Sequence, residues 1–288
     1  MNMRPLSRIV VRALAATTLI IWSAPALCAA PKPIRILLIT GGCCHDYESQ
    51  KDILKRGLEA RANVMVDQIH TGDGSTRPPL AILGKPEYAK GYDLVIHDEC
   101  AADISDPAVV QGVLKPHRDG IPGVNLHCAM HCYRIGNPND PVTALGAPHG
   151  YWFEYLGVQS SGHGPQEPIS IRFTQKPLPL GKGLTDWITG NEELYNNIRV
   201  FDSAQPVAQG DQTVKRKDGT TKTNGAVVAW TNEYGAKKTK VFSTTIGHNN
   251  ATVADPRYLE LVTRGVLWAT GHLKKDGTPM KGYGPAAK

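Results

Sequence analysis

Apolar and polar positions in the first half of the chain follow the pattern of strands alternating with helices. The segment IRILLIT, residues 34–40, is continuously apolar and runs into Gly41 and Gly42, as in a buried strand that ends in a turn. The pattern predicts strands at 34–40, 64–69, 92–97 and 121–127 and helices at 48–61 and 108–118. This alternation is typical of a parallel sheet with helices on both faces.

The second half of the chain is less regular. Short strands are predicted at 169–173, 226–230 and 240–246, between segments rich in glycine and proline. A helix at 256–270 carries apolar residues on one face and ends at Gly271. The sequence therefore predicts one domain over residues 31–272 and a flexible tail over 273–288.

Residues 1–30 have the composition of a secretory signal peptide. Arg4, Arg8 and Arg12 precede the apolar stretch 13–22, and small residues follow. The apolar run is shorter than the roughly 20 residues that a membrane-spanning helix needs. We expect an exported protein, periplasmic or secreted, without stable membrane insertion after cleavage of the signal.

Net charge argues against one class of partner. The chain carries a net charge of +6, and the three arginines of residues 1–30 leave about +3 for the rest. The one sharp basic run, residues 215–217, is followed by Asp218 and Gly219 and is predicted to be a solvated turn. We therefore do not expect a nucleic-acid partner.

Five cysteines follow the signal segment. An odd number in an oxidising compartment leaves at least one thiol unpaired or bound to another group. A bond between neighbouring cysteines is disfavoured by strain, so we expect Cys43 or Cys44 to pair with one of the other three. Those are Cys100, Cys128 and Cys132.

Polar residues follow four of the predicted strands. The carboxyl ends of parallel strands meet at one edge of the sheet, and ligands bind at that edge in folds of this type. The sequence therefore predicts that these polar groups lie together. The groups are Cys43 to Asp46, His97 to Glu99, His127 to Cys132 and Gly247 to Asn249.

His127 and His131, in the segment LHCAMHC, are four residues apart. In an α-helix this spacing places both side chains on one face, where they can bind zinc together. The pair is weak evidence alone, since loop histidines often only satisfy backbone groups. It gains weight from other candidate donors at the same edge. We predict a divalent metal, zinc or similar, with His131, Glu99 and His248 as candidate ligands, and no nucleotide cofactor.

Several motifs together resemble the trehalose-utilisation ThuA-like family. They are Gly41 and Gly42 near His45, the strand ending in Leu126 and His127, SSGHG around His163, NEELY from Asn191 to Tyr195, VVAWTNEYGAKKTKVFSTTIGHN and RGVLWATG. The resemblance implies a flavodoxin-like three-layer α/β/α sandwich with a mostly parallel sheet, within the class I glutamine amidotransferase-like superfamily. It also implies a role in carbohydrate catabolism. Cys43 and Cys44, which precede His45, depart from the commoner family pattern.

Class I amidotransferases resemble one another in a nucleophilic cysteine within GxCxG after the fourth strand. Laid along that pattern, PGVNLHCAM places His127 at the turn and Ala129 at the second glycine. We therefore do not expect a glutaminase. A Cys128 nucleophile activated by a histidine remains as an alternative to a buried or disulfide-bonded Cys128.

The sequence predicts an enzyme that acts on a disaccharide or keto-glycoside, either a hydrolase or a lyase or isomerase. Its chemistry would be acid–base catalysis by histidine and carboxylate, with a metal assisting. The resemblance favours Glu193 and His163, whereas Glu192 is predicted to be solvated. The candidate catalytic residues are His127 and Glu193, and the candidate substrate-binding residues are His45, Asp46, His163 and Asn249.

Two other functional classes compete with this prediction. A non-catalytic sugar-binding protein on the same fold is the alternative, because one fold hosts many functions. A thiol oxidoreductase is disfavoured by the lack of a CxxC motif.

Overall fold

The structure, a computed structural model, describes residue 1, residues 31–174 and residues 178–286. The predicted signal peptide therefore lies outside the described residues, apart from Met1. Within the described ranges, none of the helices combines the length and the apolar character needed to cross a bilayer.

The strands are β1 (Ile34–Gly42), β2 (Val64–Thr71), β3 (Leu94–Cys100), β4 (Gly123–Leu126), β5 (Val158–Phe173), β6 (Trp187–Val200), β7 (Gln205–Lys215), β8 (Thr221–Tyr234) and β9 (Thr239–Thr244). The α-helices are α1 (Tyr47–Glu59), α2 (Pro107–Arg118), α3 (Tyr151–Leu156), α4 (Asn250–Val253) and α5 (Pro256–Ala269). Short 3₁₀ helices occupy His127–His131, Pro148–Gly150 and Pro179–Gly181.

These nine strands form one mixed sheet in the order β2-β1-β3-β4-β9-β8-β7-β5-β6. The pairs from β2 to β9 are parallel, and the pairs from β9 to β6 are antiparallel. The prediction of a mostly parallel sheet is therefore not confirmed. Short turns join β7 to β8 and β8 to β9, and only antiparallel neighbours can be joined in that way.

Helices cover both faces of the parallel half, which comprises β1 to β4 and β9. On one face, Leu54 of α1 and Val262 of α5 pack with Ile36 of β1. On the other face, Val113 of α2 and Trp152 of α3 belong to a second buried cluster. Successive side chains of a strand point to opposite faces, so a continuously apolar strand such as β1 supplies both clusters.

The antiparallel half, β5 to β8, was largely missed by the sequence pattern. β5 and β6 contain 16 and 14 residues, whereas only 169–173 of them is predicted as strand. Many of their positions are polar or exposed, so apolar periodicity is weak there. The pairing of β5 with β6 is interrupted by several register shifts between Gln159 and Ser170.

Residues 273–286 were predicted to belong to a flexible tail, but they contact the domain in the structure. Asn63 donates from Nδ2 to the carbonyl oxygen of Gly282 at 3.0 Å. The ring centroids of Tyr283 and His272 lie 3.8 Å apart. This segment therefore packs beside the start of β2.

Candidate functional site

Three loops at the carboxyl ends of β1, β4 and β9 bring His45, His127 and His248 together. The ring centroid of His45 lies 4.7 Å from each of the other two, and those of His127 and His248 are 5.4 Å apart. One nitrogen of each ring lies within 4.8 Å of the others. The meeting follows from the topology, because β1, β4 and β9 all run in one direction.

His127 occupies the tight turn between β4 and the following 3₁₀ helix. Its φ of 41° is in the left-handed region, which is uncommon for residues with a Cβ and is often found at functional sites. The residue is 2% exposed, and its Nδ1 donates to the carbonyl oxygen of Thr245 at 2.6 Å. Nε2 therefore keeps its lone pair, and that atom has no hydrogen-bond partner among the described residues.

Glu193 of β6 faces these imidazoles from the antiparallel half. Its oxygens lie 3.5 Å from Nε2 of His127 and 3.4 Å from Nδ1 of His248. Nδ1 of His163, an exposed side chain on β5, is 3.6 Å away. Gln166 donates from Nε2 to Glu193 at 3.4 Å and to Nε2 of His248 at 2.8 Å. We call His45, His127, His248 and Glu193 the histidine centre.

Burial and mutual repulsion keep two of these imidazoles neutral. Burial, followed by the charges of His127 and His248, lowers the pKa of His45 to about 3. Burial also lowers the pKa of His248, and Glu193 opposes that shift. For Glu193 itself burial raises the pKa, but the contact with His127 and the charges of His163 and His248 outweigh it and bring the pKa to about 2. The centre therefore holds an ionised carboxylate beside the two neutral imidazoles of His45 and His248 at neutral pH.

Glu192 lies beside the site, which the sequence did not indicate, and the prediction that it is solvated is wrong. Its side chain is fully buried. The carboxylate accepts hydrogen bonds from the backbone N–H of Gly247 at 3.3 Å, of His248 at 3.0 Å and of Asn249 at 3.4 Å. The side chains of neighbouring strand residues point to opposite faces. Glu192 therefore holds the turn that carries His248, while Glu193 faces the imidazole rings.

A cleft of about 740 Å³ opens beside His45 and His248. Asp46 and Asn249, both predicted to bind substrate, line it. Asp46 also caps α1 by accepting from Ser49 N at 3.1 Å, and it accepts from Asn250 Nδ2 at 2.6 Å. The side chain of Asn249 donates to the carbonyl oxygen of Asn191 at 2.6 Å. Both residues therefore hold the cleft in shape and expose polar atoms along it.

His131, a candidate metal ligand, lies outside the histidine centre. The segment after His127 is a 3₁₀ helix with three residues per turn, so residues four apart do not share a face as they do in an α-helix. Nε2 of His131 contacts Ser160 Oγ at 2.9 Å, and its ring stacks on Tyr195 with centroids 4.2 Å apart. Tyr195 also lies 5.0 Å from the His127 ring, so it links the two histidines.

Glu99, another candidate ligand, belongs to a separate buried group that we call the sealed cluster: His97, Glu99, His117 and Tyr133. Glu99 Oε1 lies 2.8 Å from His97 Nδ1 and accepts from the Tyr133 hydroxyl at 2.7 Å. His97 Nε2 lies 3.1 Å from His117 Nε2, and His117 Nδ1 donates to the carbonyl oxygen of Ile121. Glu99 Oε2 has no hydrogen-bond partner among the described residues, and none of these side chains is grouped with the three imidazoles.

A family model described as ThuA, trehalose utilisation, matches residues 35–269 of the chain. The chain belongs to the ThuA family. A comparison with curated protein sequences gave no match.

Two solved structures of ThuA-like proteins share the fold, and a third structure is less similar. A ThuA-like protein from Parabacteroides merdae ATCC 43184 superposes with a TM-score of 0.61 at 18% identity, covering 88% of this chain and 97% of that one. A ThuA-like protein from Bacteroides uniformis ATCC 8492 gives 0.54 at 16% identity, with coverages of 83% and 93%. A glutamine amidotransferase from Thermotoga maritima gives 0.41 at 11% identity, with coverages of 82% and 98%.

The cysteines of this ThuA family member pair in a way that the sequence did not predict. Cys43 bonds to Cys44, so the expectation that these neighbours do not pair with each other is wrong. Cys100 bonds to Cys128, and Cys132 is a buried free thiol. In this state Cys128 has no thiolate to offer, so the residue at the turn with an available lone pair is His127.

Proposed function

We propose that this ThuA family member is an enzyme that acts on a small carbohydrate, a disaccharide or a glycoside carrying a keto group. The observation that carries the proposal is the position of Glu193, whose oxygens lie 3.4–3.6 Å from nitrogens of His127, His163 and His248. A carboxylate among imidazoles beside an open polar cleft suits acid–base chemistry on sugar hydroxyls and carbonyls. Export and a catabolic role remain predictions from the sequence.

His127 is assigned the proton transfer. A keto group makes the neighbouring C–H acidic, and the lone pair on Nε2 of His127 accepts that proton while the C–H electron pair forms a C=C bond and the glycosidic C–O bond breaks. The imidazolium then returns the proton to the leaving oxygen. Glu193 is a poor proton acceptor because its pKa is low. Burial raises this pKa, but the contact with His127 outweighs burial and helps to lower the pKa to about 2. The role of Glu193 is to stabilise the positive charge on the imidazole ring.

The same centre suits a divalent metal such as zinc. His45 and His248 each offer a ring nitrogen, the two nitrogens lie within 4.8 Å of each other, and Glu193 supplies a charged oxygen, so that His127 keeps its own nitrogen for proton transfer. Histidine nitrogens and one carboxylate oxygen are donors that zinc accepts in a tetrahedral site. A bound divalent ion would polarise a sugar carbonyl. This donor set replaces His131 and Glu99 with residues that the fold places together.

The substrate-binding roles fall on the rim of the centre. Asp46 and Asn249 line the cleft, and His163 is exposed within 3.6 Å of Glu193. Carboxylate, amide and imidazole groups all form hydrogen bonds with sugar hydroxyls. We assign these residues to the recognition of the sugar.

The decisive experiment incubates the purified protein with plain and 3-keto disaccharides, with and without added zinc, and follows products by mass spectrometry. Metal content is measured on the same preparation. Glu193→Gln is expected to lower turnover at least about 100-fold. Glu233→Gln changes an exposed carboxylate on β8 in the same way and is expected to keep full turnover.

Two outcomes would contradict the proposal. Binding of a disaccharide without product under all conditions would identify a non-catalytic sugar-binding protein. Full turnover by Glu193→Gln would move the chemistry to another part of the molecule.

A further inference from the structure

Four cysteines form a second reactive cluster beside the histidine centre. Cys43 and Cys44 form one disulfide, and Cys100 and Cys128 form another. The Sγ of Cys43 lies 3.4 Å from the Sγ of Cys100, so the two disulfides face each other. The acid–base chemistry proposed above uses none of these sulfur atoms.

We propose that this sulfur cluster is a thiol–disulfide relay that takes two electrons from an external dithiol at Cys44 and releases a thiol at Cys128.

Access to the cluster is graded from the surface inwards. Cys44 is exposed and lines the cleft, and Cys43 is half-buried. Cys100 is 3% exposed and Cys128 is 7% exposed, so an external thiol reaches them poorly. An external reductant therefore meets the Cys43–Cys44 bond first.

In the internal step, the attacking sulfur of Cys43 already lies close to its target on Cys100. Exchange proceeds when a thiolate attacks a disulfide sulfur, and well-placed reacting atoms lie about 3–3.5 Å apart. The 3.4 Å between Cys43 and Cys100 falls in that range. A thiolate formed on Cys43 is thus within reach of its target.

The reaction balances in electrons and atoms. A thiolate of the dithiol attacks Cys44 Sγ and displaces Cys43 as a thiolate, and the second thiol of the reductant then releases Cys44 as the reductant closes its own disulfide. The Cys43 thiolate attacks Cys100 Sγ, forms a Cys43–Cys100 bond and displaces Cys128. Two electrons and two protons pass from the dithiol to the protein, which ends with thiols on Cys44 and Cys128.

The fifth cysteine near the cluster takes no part. Cys132 Sγ donates to the carbonyl oxygen of Glu99 at 3.0 Å and accepts from the backbone N–H of Ala101 at 3.0 Å. Burial raises the pKa of the Cys132 thiol well above its ordinary value. Its sulfur is therefore a poor nucleophile, and Cys132 serves as the internal control.

The first test maps the order of reduction. The full chain is treated with graded amounts of dithiothreitol, quenched with an alkylating reagent and analysed by peptide mass spectrometry. The expected early species has a Cys43–Cys100 bond and alkyl groups on Cys44 and Cys128. An early species with alkylated Cys43 and Cys44 and an intact Cys100–Cys128 bond would overturn the proposal.

The second test uses cysteine variants. Cys44→Ser leaves Cys43 as a free thiol against the Cys100–Cys128 bond, so without any reductant a fraction of the purified protein is expected to carry Cys43–Cys100 and a free Cys128. In Cys43→Ser the Cys100–Cys128 bond is expected to be reduced at least about tenfold more slowly than in the unchanged chain, because the attacking sulfur is missing. Cys132→Ser is expected to leave the order of reduction unchanged.

These variants also keep the proposal open to refutation. The disulfides of Cys44→Ser are mapped without reduction. If Cys43 is found as a free thiol and Cys100 is bonded only to Cys128, the relay is ruled out. Circular dichroism checks that each variant is folded, and the mapping of the unchanged chain decides the matter if Cys43→Ser does not fold.

Discussion

Two groups of histidine and glutamate among the described residues differ in whether they adjoin a cleft. In the sealed cluster, His97 and Glu99 are fully buried and both nitrogens of His97 and His117 have partners. In the histidine centre, by contrast, His45 Nδ1, His127 Nε2 and His248 Nδ1 have no hydrogen-bond partner among the described residues. The same residue types therefore serve packing in one place and supply free donor atoms beside a cleft in the other.

This difference gives a criterion for function that residue type does not supply. A buried polar group normally finds a partner, so several unpartnered nitrogens aimed at one point indicate a site that awaits a ligand. Glu99 lies near the carboxyl end of β3, and His127 directly follows β4, yet Oε1 of Glu99 already contacts His97 and Tyr133. The predictions below test whether the two groups differ as this criterion requires.

The largest effect is expected for His127→Gln, which removes a free imidazole nitrogen of the histidine centre. Turnover of an identified substrate should fall by about 10²–10⁴-fold, the usual contribution of an acid–base group. The free energy of unfolding should fall by only about 1 kcal/mol, for the hydrogen bond to Thr245. Initial rates and urea unfolding measure the two quantities. Normal turnover with a large loss of stability would place His127 with the structural histidines.

Glu99→Ala should show the opposite pattern. Removing Glu99 leaves the buried His97 Nδ1 and the Tyr133 hydroxyl without their partner, at a cost of about 1–3 kcal/mol in the free energy of unfolding for each group. Turnover per folded molecule should remain. Glu233→Ala, at an exposed position, should change stability by less than about 0.5 kcal/mol in the same urea titration. Loss of turnover in folded Glu99→Ala would mean that the sealed cluster takes part in the chemistry.

Glu192→Gln tests a residue between the two types, since Glu192 is buried like Glu99 but supports a histidine of the histidine centre. Loss of the carboxylate weakens its hydrogen bonds to the turn that carries His248, and stability should fall by about 1.5–3 kcal/mol. Zinc affinity, measured by titration, should fall by about 10–100-fold, as for other residues that orient a metal ligand. Unchanged zinc affinity would make Glu192 purely structural.

Mild acid should produce the smallest effect. Burial is the first cause that lowers the pKa of His45 and of His117 to about 3, from an ordinary value of 6.5. The unfolded chain then binds protons near pH 6.5 that the folded chain does not, so stability falls as the pH drops. Between pH 7.5 and 6 each histidine should contribute about 1 kcal/mol to this loss.

Unfolding followed at several pH values distinguishes the two histidines. The loss of stability between pH 7.5 and 6 should be about 1 kcal/mol smaller in His45→Gln than in the unchanged chain, and smaller by the same amount in His117→Gln. Added zinc should make the fall in stability with decreasing pH steeper, because protons compete with the metal for His45. A zinc effect that survives in His45→Gln unchanged would contradict the assignment of His45 as a donor.

The parallel half of the fold was predictable because its strands are continuous apolar runs. β1 was predicted as 34–40 and extends over Ile34–Gly42, and α5 was predicted as 256–270 and extends over Pro256–Ala269. The topology of such strands also predicted that the loops carrying His45, His127 and His248 meet. These features depend on local periodicity and on strand direction, both of which the sequence displays.

The carboxylates and the cysteine pairing depend on features that local patterns do not display. Glu192 and Glu193 are neighbours, and which of them faces the imidazoles is decided by the register of β6 against β5. The position of His131 depends on a 3₁₀ helix where an α-helix was assumed. The contact between Cys43 and Cys100 joins residues 57 positions apart in the chain.

The irregular pairing of β5 with β6 has a consequence for how the site can change. A slip of one residue would bring Glu192 to the imidazoles and leave Asn191 under the turn, or bring Glu193 under the turn and leave Leu194 at the imidazoles. Either slip removes one of the two carboxylates and leaves the three histidines on their own loops, so the register of this one strand pair sets the chemistry of the site independently of its histidines.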